Sequence, residues 1–172
     1  DGIRMVGCRY VLADAQRAAR FQGHDLGDAQ ILLFDHDKHP LEGLSVLTEL
    51  GGGAETPLPT IDPLDKATIL FTSGSTGQSK GAWSDHRAVT QATMSYVGQT
   101  LVFFELLSQM EGGVSPLQPA TLLNLPLFHV TAAVPVMLQS FAIGRKLVLM
   151  PKWDAEEAMR LIEKEKITYF VG

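Results

Sequence analysis

The stretch "ATILFTSGSTGQSKG", Ala67 to Gly81, joins an apolar run to a loop of quite different composition. Ala67–Phe71 reads as a buried strand, because short, near-continuous apolar runs are what a parallel sheet demands. The residues that follow, Thr72 to Gly81, hold five hydroxyls, three glycines, one lysine and no acid. Glycines let the backbone turn so that several N–H groups converge on one point, and they admit a ligand closely. Such a concave set of donors binds phosphate. Thr72, Ser73, Ser75 and Thr76 add hydroxyls, and Lys80 adds a compact positive charge that can reach a terminal phosphate. A carboxylate in the loop would repel a polyphosphate, and none is there. Read from its residues, the loop is a cradle for a nucleoside triphosphate. The bland alternative is a plain flexible turn.

The Walker pattern does not apply. It places lysine directly after its second glycine, whereas Gln78 and Ser79 separate Gly77 from Lys80 here. The residues after Lys80, "GAWSDH", read as extended, with Ser84 or Asp85 as the cap of the next helix. A helix dipole is therefore not obviously aimed at the phosphate.

Strands and helices alternate outward from the loop. Arg9–Ala13 and Ala29–Phe34 read as strands, with a short helix from Asp14 to Arg20 between them. Residues 35–40 read as a turn, and Leu41–Leu50 as a helix stopped by Gly51, Gly52 and Gly53. Gly51–Pro63 is rich in Gly and Pro and reads as a linker-like loop dividing a smaller part, 1–50, from a loop-bearing lobe, 64–172. Beyond Lys80, Val89, Ala92, Tyr96, Val97, Leu101 and Phe104 share one helical face. Ala120–Leu125, Lys146–Met150 and Ile167–Val171 read as strands. Thr131–Ile143 reads as a helix closed by Gly144. Asp154 and Glu157 form a capping-box-like pair ahead of a stripe of Ala155, Ala158, Met159 and Ile162. Glu156, Glu157, Glu163 and Glu165 read as a solvated face, and Trp153 as surface packing. The fold class expected is α/β, a mostly parallel sheet with helices on both faces.

The composition agrees with a globular domain. Of 172 residues, 45% are apolar and 19% charged. A net charge of −5 argues against a general nucleic-acid binder. The one cysteine, Cys8, reads as a small core residue in a reducing, cytoplasmic setting. The N-terminal residues carry no secretory apolar run. The longest apolar tract, Val130–Ile143, is shorter than the ~20 residues a bilayer requires, so no transmembrane segment is expected.

"TILFTSGSTGQSKGAWSDHRAV" resembles the phosphate-binding signature of the adenylate-forming ligases, which include acyl-CoA synthetases, luciferases and peptide-synthetase adenylation domains. The family's usual form is close to T-S-G-[ST]-T-G-x-P-K-G, and only its proline, Ser79 here, departs. "NLPLFHVTA", Asn124–Ala132, resembles the second motif, a strand followed by an aromatic and a histidine beside the carboxylate pocket. "KLVLMPKWDAEEAMRLIEKEKITYFVG", Lys146–Gly172, resembles the segment leading to the next strand and substrate loop.

The resemblance implies a two-step reaction on a carboxylic acid, with ATP, Mg²⁺ and coenzyme A. The acid, fatty or aryl by the apolar character around His129, is activated as an acyl-adenylate and passed to the thiol. It implies phosphate contacts from Thr72, Ser73, Ser75, Thr76 and Lys80, a backbone shaped by Gly74, Gly77 and Gly81, and His129 at the acid pocket. His86 matches a histidine that often follows the loop and reads as structural, at a helix start. No metal ligand is assigned, and the family's catalytic lysine, on a small C-terminal domain, has no counterpart in these residues. The chain is thus expected to be a fragment of a ligase, inactive and self-associating in isolation. Two other functions fit the same loop: a non-catalytic nucleotide- or phosphate-binding module, and an adenylation domain serving a carrier protein.

Overall fold

The computed structural model describes residues 2–34, 45–46, 57–74, 77, 79–110, 112–150 and 152–171. Contacts divide the chain into two compact units, Asp1–Thr60 with Ser73–Gly81, and Ile61–Thr72 with Ala82–Gly172.

In the first unit a helical turn α1 (Gly2–Met5) precedes β1 (Tyr10–Ala13), and α2 (Ala15–Ala18) follows and tightens into a 3-10 turn, Ala19–Phe21. Asp14 starts α2 as the spacing predicts: its carboxylate accepts the Arg17 N–H at 2.7 Å. β2 (Gln30–Leu33) pairs with β1 in parallel, Tyr10 opposite Gln30 and Ala13 opposite Leu33. Ala13, Ala18 and Leu33 are buried together, with Ile31 packed against them. Within the segment expected as a helix, Ser45–Val46 is instead a strand, β3, parallel to β2 at Leu32 and Leu33. Pairing satisfies the backbone groups along the open edge of β2, and that tertiary gain outweighs a local helical pattern. The rest of 41–50, the turn at 35–40 and Gly51–Gly53 lie outside the described residues. Cys8 is half-buried rather than core, its Sγ donating to the Tyr10 carbonyl at 2.9 Å.

β4 (Lys66–Thr72) and β5 (Lys80–Asp85) form a two-stranded sheet. β4 is less buried than its composition suggests: Ala67–Leu70 are half-covered and Phe71 is exposed. A two-stranded sheet with α3 (His86–Ser108) against it leaves much of its surface open. Asp85 begins α3 by accepting the Ala88 N–H at 2.6 Å. The inner row of α3 is Val89, Thr93, Val97, Thr100, Phe104 and Leu107; Tyr96 and Leu101, expected inside, are exposed. The row is phased through two threonines that a count of apolar residues passes over. The Thr93 hydroxyl satisfies itself on the Val89 carbonyl at 2.9 Å.

The remaining elements surround β6 (Ala120–Leu123), every residue of which is buried. β7 (Lys146–Leu149) and β8 (Tyr169–Phe170) flank it, both parallel, in the order β7-β6-β8. A π-helical segment, Ala132–Leu138, runs into α4 (Gln139–Ile143), which ends on Gly144 at φ 66° as expected of a C-terminal glycine. Leu123, Ala132 and Val136 form the core, with Leu125, Leu147 and Val171 packed on it. α5 (Ala155–Glu165) is capped by Asp154, which accepts the Glu157 N–H at 2.8 Å. The Glu157 carboxylate turns to Arg160 rather than back to the cap. Ala158 is buried and Leu161 and Ile162 half-buried, whereas Ala155 and Met159 face outward.

The fold is thus mixed α/β with parallel sheets and helices, as the alternation of runs predicts. Among the described residues no helix is long and apolar enough to cross a membrane.

Thr121, in the middle of β6, is fully buried, and its hydroxyl has no hydrogen-bond partner among the described residues. Removing an unpaired buried hydroxyl relieves a desolvation cost. Thr121→Val is expected to stabilise the fold by about 1 kcal/mol, read as a shifted denaturant midpoint; destabilisation would show that the hydroxyl is paired.

Candidate functional site

The loop sits between β4 and β5. Its connection is far shorter than the dozen residues a parallel crossover needs, so the two strands make a hairpin. The backbone agrees: the His86 N–H, just past β5, donates to the Asp65 carbonyl, just before β4, at 3.1 Å. The start of α3 therefore lies at the Lys66 end of β4, opposite Thr72. Seven residues of strand separate those ends, about 20 Å at the usual rise. The residues after Lys80 are thus extended, and Asp85, at the far end of β5, caps α3.

Thr72 closes β4 and Lys80 opens β5, both exposed, as are Ser73 and Ser79. Gly74 and Gly77 have φ of 59° and 79°, and the Gly77 N–H donates to the Gly74 carbonyl at 3.3 Å. Both glycines thus occupy the left-handed region, where a side chain is strained. A Cβ at Gly77 would meet nothing within 4 Å, so the space beside it is open. Ser75 and Thr76 lie outside the described residues. Across the hairpin, the Lys66 ammonium stands 5.8 Å from the Trp83 ring centroid.

The second motif lies in the other unit. His129 is exposed at the entry to the π-helical segment. Its N–H donates to the Pro126 carbonyl at 3.0 Å, and its own carbonyl accepts from Ala132 and Ala133, each at 3.1 Å. Its ring stands 4.7 Å from that of Phe128, tilted by 47°. Leu127, Phe128 and Val130 around it are exposed apolar side chains. Among the described residues no hydrogen bond anchors the imidazole, so the backbone at His129 is structural while its ring is presented outward.

His86 belongs to neither cluster. It starts α3 and lines an open hollow of about 490 Å³ with Ile61, Pro63, Arg87, Thr90 and Gln91. Its backbone N–H is bonded to the Asp65 carbonyl, at the helix start where the sequence reading puts it. Trp153 is half-exposed and tilts over Phe170 at 6.3 Å. Arg145 was singled out by no motif, yet among the described residues it is the buried charge of the second unit. The one trace of it is an isolated arginine between a helix-ending glycine and an apolar strand.

The model of the family described as "AMP-binding enzyme" matches residues 3–172. The chain belongs to this family. It is 28% identical over 167 residues to 4-coumarate-CoA ligase 1 of Narcissus pseudonarcissus, covering 94% of this chain and 28% of that protein. It is 31% identical over 116 residues to a long-chain-fatty-acid–CoA ligase of Bacillus subtilis, covering 67% of this chain and 19% of the relative. Its fold matches O-succinylbenzoate coenzyme A synthetase of Bacillus subtilis, solved in complex with ATP and magnesium ion, with a TM-score of 0.66 at 20% identity, over 98% of this chain and 30% of that one. The chain spans between about a fifth and a third of the length of these proteins.

Gly77→Ala tests the loop's backbone. With open space beside the glycine, the substitution costs only the strain of a left-handed alanine, about 1–2 kcal/mol. The expected outcome is a drop of that size in a denaturation experiment; no change would mean that Gly77 does not require a positive φ.

Proposed function

We propose that this chain is part of an ATP-dependent acid–thiol ligase that makes an acyl-adenylate and transfers the acyl group to coenzyme A. The observation that carries this reading is the acid-free loop, with two glycines at positive φ between the exposed Thr72 and Lys80, in a chain of the AMP-binding family. In the reaction proposed, a carboxylate oxygen attacks the α-phosphorus of ATP and pyrophosphate leaves. The coenzyme A thiol then takes the acyl group and AMP departs.

The loop's part is to hold the β- and γ-phosphates. Thr72, Ser73, Ser75 and Thr76 offer hydroxyls, Gly74 and Gly77 free the backbone, and Lys80 faces the charge that grows on the leaving pyrophosphate. This is positioning and electrostatic stabilisation rather than covalent catalysis. Open space beside Gly77 suits the close approach of a phosphate. Mg²⁺, typically bound through substrate phosphates, would share their charge; no residue of this chain is assigned to it.

His129 is proposed to line the acid pocket. The exposed Leu127, Phe128 and Val130 beside it suit an apolar acid, fatty or aryl. The names of the two ligases above, a coumarate and a long-chain fatty acid enzyme, support the same two classes.

In the full-length enzyme, Lys80→Ala is expected to slow adenylation by about 10²–10³-fold, the usual effect of losing one contact to developing charge, while acid binding changes little. Acid-dependent ATP–pyrophosphate exchange measures both, and an unchanged rate would remove Lys80 from the site. His129→Ala is expected to reorder the preference among a panel of acids at an unchanged melting temperature. A destabilised variant that treats all acids alike would make the histidine purely structural. Residues 1–172 expressed alone are expected to self-associate, because Leu101, Val102, Phe103 and Leu106 of α3 lie exposed together, and to make no acyl-CoA. Sedimentation showing a clean monomer, or turnover in an AMP-release assay, would contradict this.

A further inference from the structure

Arg145 follows the glycine that ends α4 and is 8% exposed. Its Nε donates to Ser140 Oγ at 2.9 Å. Its Nη2 donates to the Pro135 carbonyl at 3.2 Å, the Val136 carbonyl at 3.1 Å and Gln139 Oε1 at 3.2 Å. The Tyr169 ring of β8 lies 5.1 Å from its Cζ. Among the described residues no carboxylate pairs with it, and burial pushes its pKa below the ordinary arginine value. Gln139 in turn donates its Nε2 to the Tyr96 carbonyl at 2.8 Å and to Thr100 Oγ1 at 2.6 Å. One guanidinium thereby gathers the end of the π-helical segment and, through Gln139, ties it to α3.

A buried charge is costly unless its donors are satisfied, and every hydrogen-bond acceptor of this one lies between Pro135 and Ser140. That stretch is where the wide π turns, with Pro135 among them, return to α geometry. π turns are rare and compete with the ordinary α register. An α-helix rotates by about 100° per residue, so a slip of one residue would swing whatever precedes the segment by about that angle. What precedes it is the Pro126–Val130 turn, bonded to the segment through the His129 carbonyl.

We infer that Arg145 is a positioning residue for the acid pocket: by occupying the Pro135 and Val136 carbonyls it holds the π register and so fixes the direction in which His129 and Phe128 face the acid. The inference rests on the ligase reading and on His129 lining the pocket. It concerns a buried residue whose role is exerted through His129.

The test uses the full-length enzyme and acid-dependent ATP–pyrophosphate exchange. Arg145→Met keeps an unbranched stem and removes the donors. It is expected to raise the KM for the acid about tenfold with the KM for ATP unchanged, a loss confined to one substrate. Arg145→Lys, which keeps a charge with fewer fixed donors, is expected to shift the acid KM in the same direction by about threefold, and it carries the test if Arg145→Met does not fold. In a His129→Ala background the Arg145 substitutions should shift the acid KM less than about twofold, since coupled residues are non-additive. Equal changes in both KM values, the same shift with and without His129, or a lower melting temperature with unaltered kinetics would overturn the inference. Wild-type enzyme without acid-dependent exchange would instead overturn the ligase reading, and this inference with it.

Discussion

β6 is buried along its whole length between two parallel partners, and the second unit is organised by that fact. A parallel strand offers no solvated face, so both sides must be covered by other elements. Here α5 and the π-helical segment pack against it. Ala132, with no exposure at all, brings that segment down onto Leu123, and the chain between the two is the turn that presents His129. The Thr168 N–H reaches the Ala120 carbonyl at 2.9 Å, which sets β8 beside the same strand. The place of His129 is thus a consequence of packing, while the freedom of its ring is what packing leaves over.

The loop obeys a different constraint. A strand that runs directly into a helix delivers anion-binding N–H groups together with the helix dipole. This chain inserts β5 between loop and helix, and α3 begins at the other end of β4 from Thr72. On the proposed reading the loop therefore offers phosphate its turned backbone, its hydroxyls and Lys80 rather than an adjoining helix start. That explains the density of small hydroxyl residues, and it explains why both described glycines within the loop adopt positive φ.

Legibility in the sequence followed the range of the interactions. Asp14, Asp85 and Asp154 each cap the helix that their local spacing predicts, because a cap is a bond between near neighbours. Gly144 ends α4 for the same kind of reason. The run read as a strand over Ala120–Leu125 is the buried strand Ala120–Leu123, with Thr121 its one polar residue. Partners remote in sequence carried no such signal. Ser45–Val46 pairs with β2 against its local pattern. Thr93 and Thr100 take inner positions on α3 because their hydroxyls find a carbonyl and a glutamine, and the whole apolar stripe is rephased past Tyr96 and Leu101. Arg145 donates to carbonyls of the π turns from the far side of α4, so that link could not be read from one segment. The candidate loop was legible as composition and as a resemblance, while its geometry is described at Gly74 and Gly77 and not at Ser75 or Thr76.

The central claim, that the loop holds the terminal phosphates of ATP, is tested most directly by titrating the full-length protein while following the backbone amide resonances of Gly74 and Gly77. ATP and inorganic pyrophosphate should both move them, and adenosine should leave them in place. Equal shifts with adenosine and ATP, or none with pyrophosphate, would contradict the account.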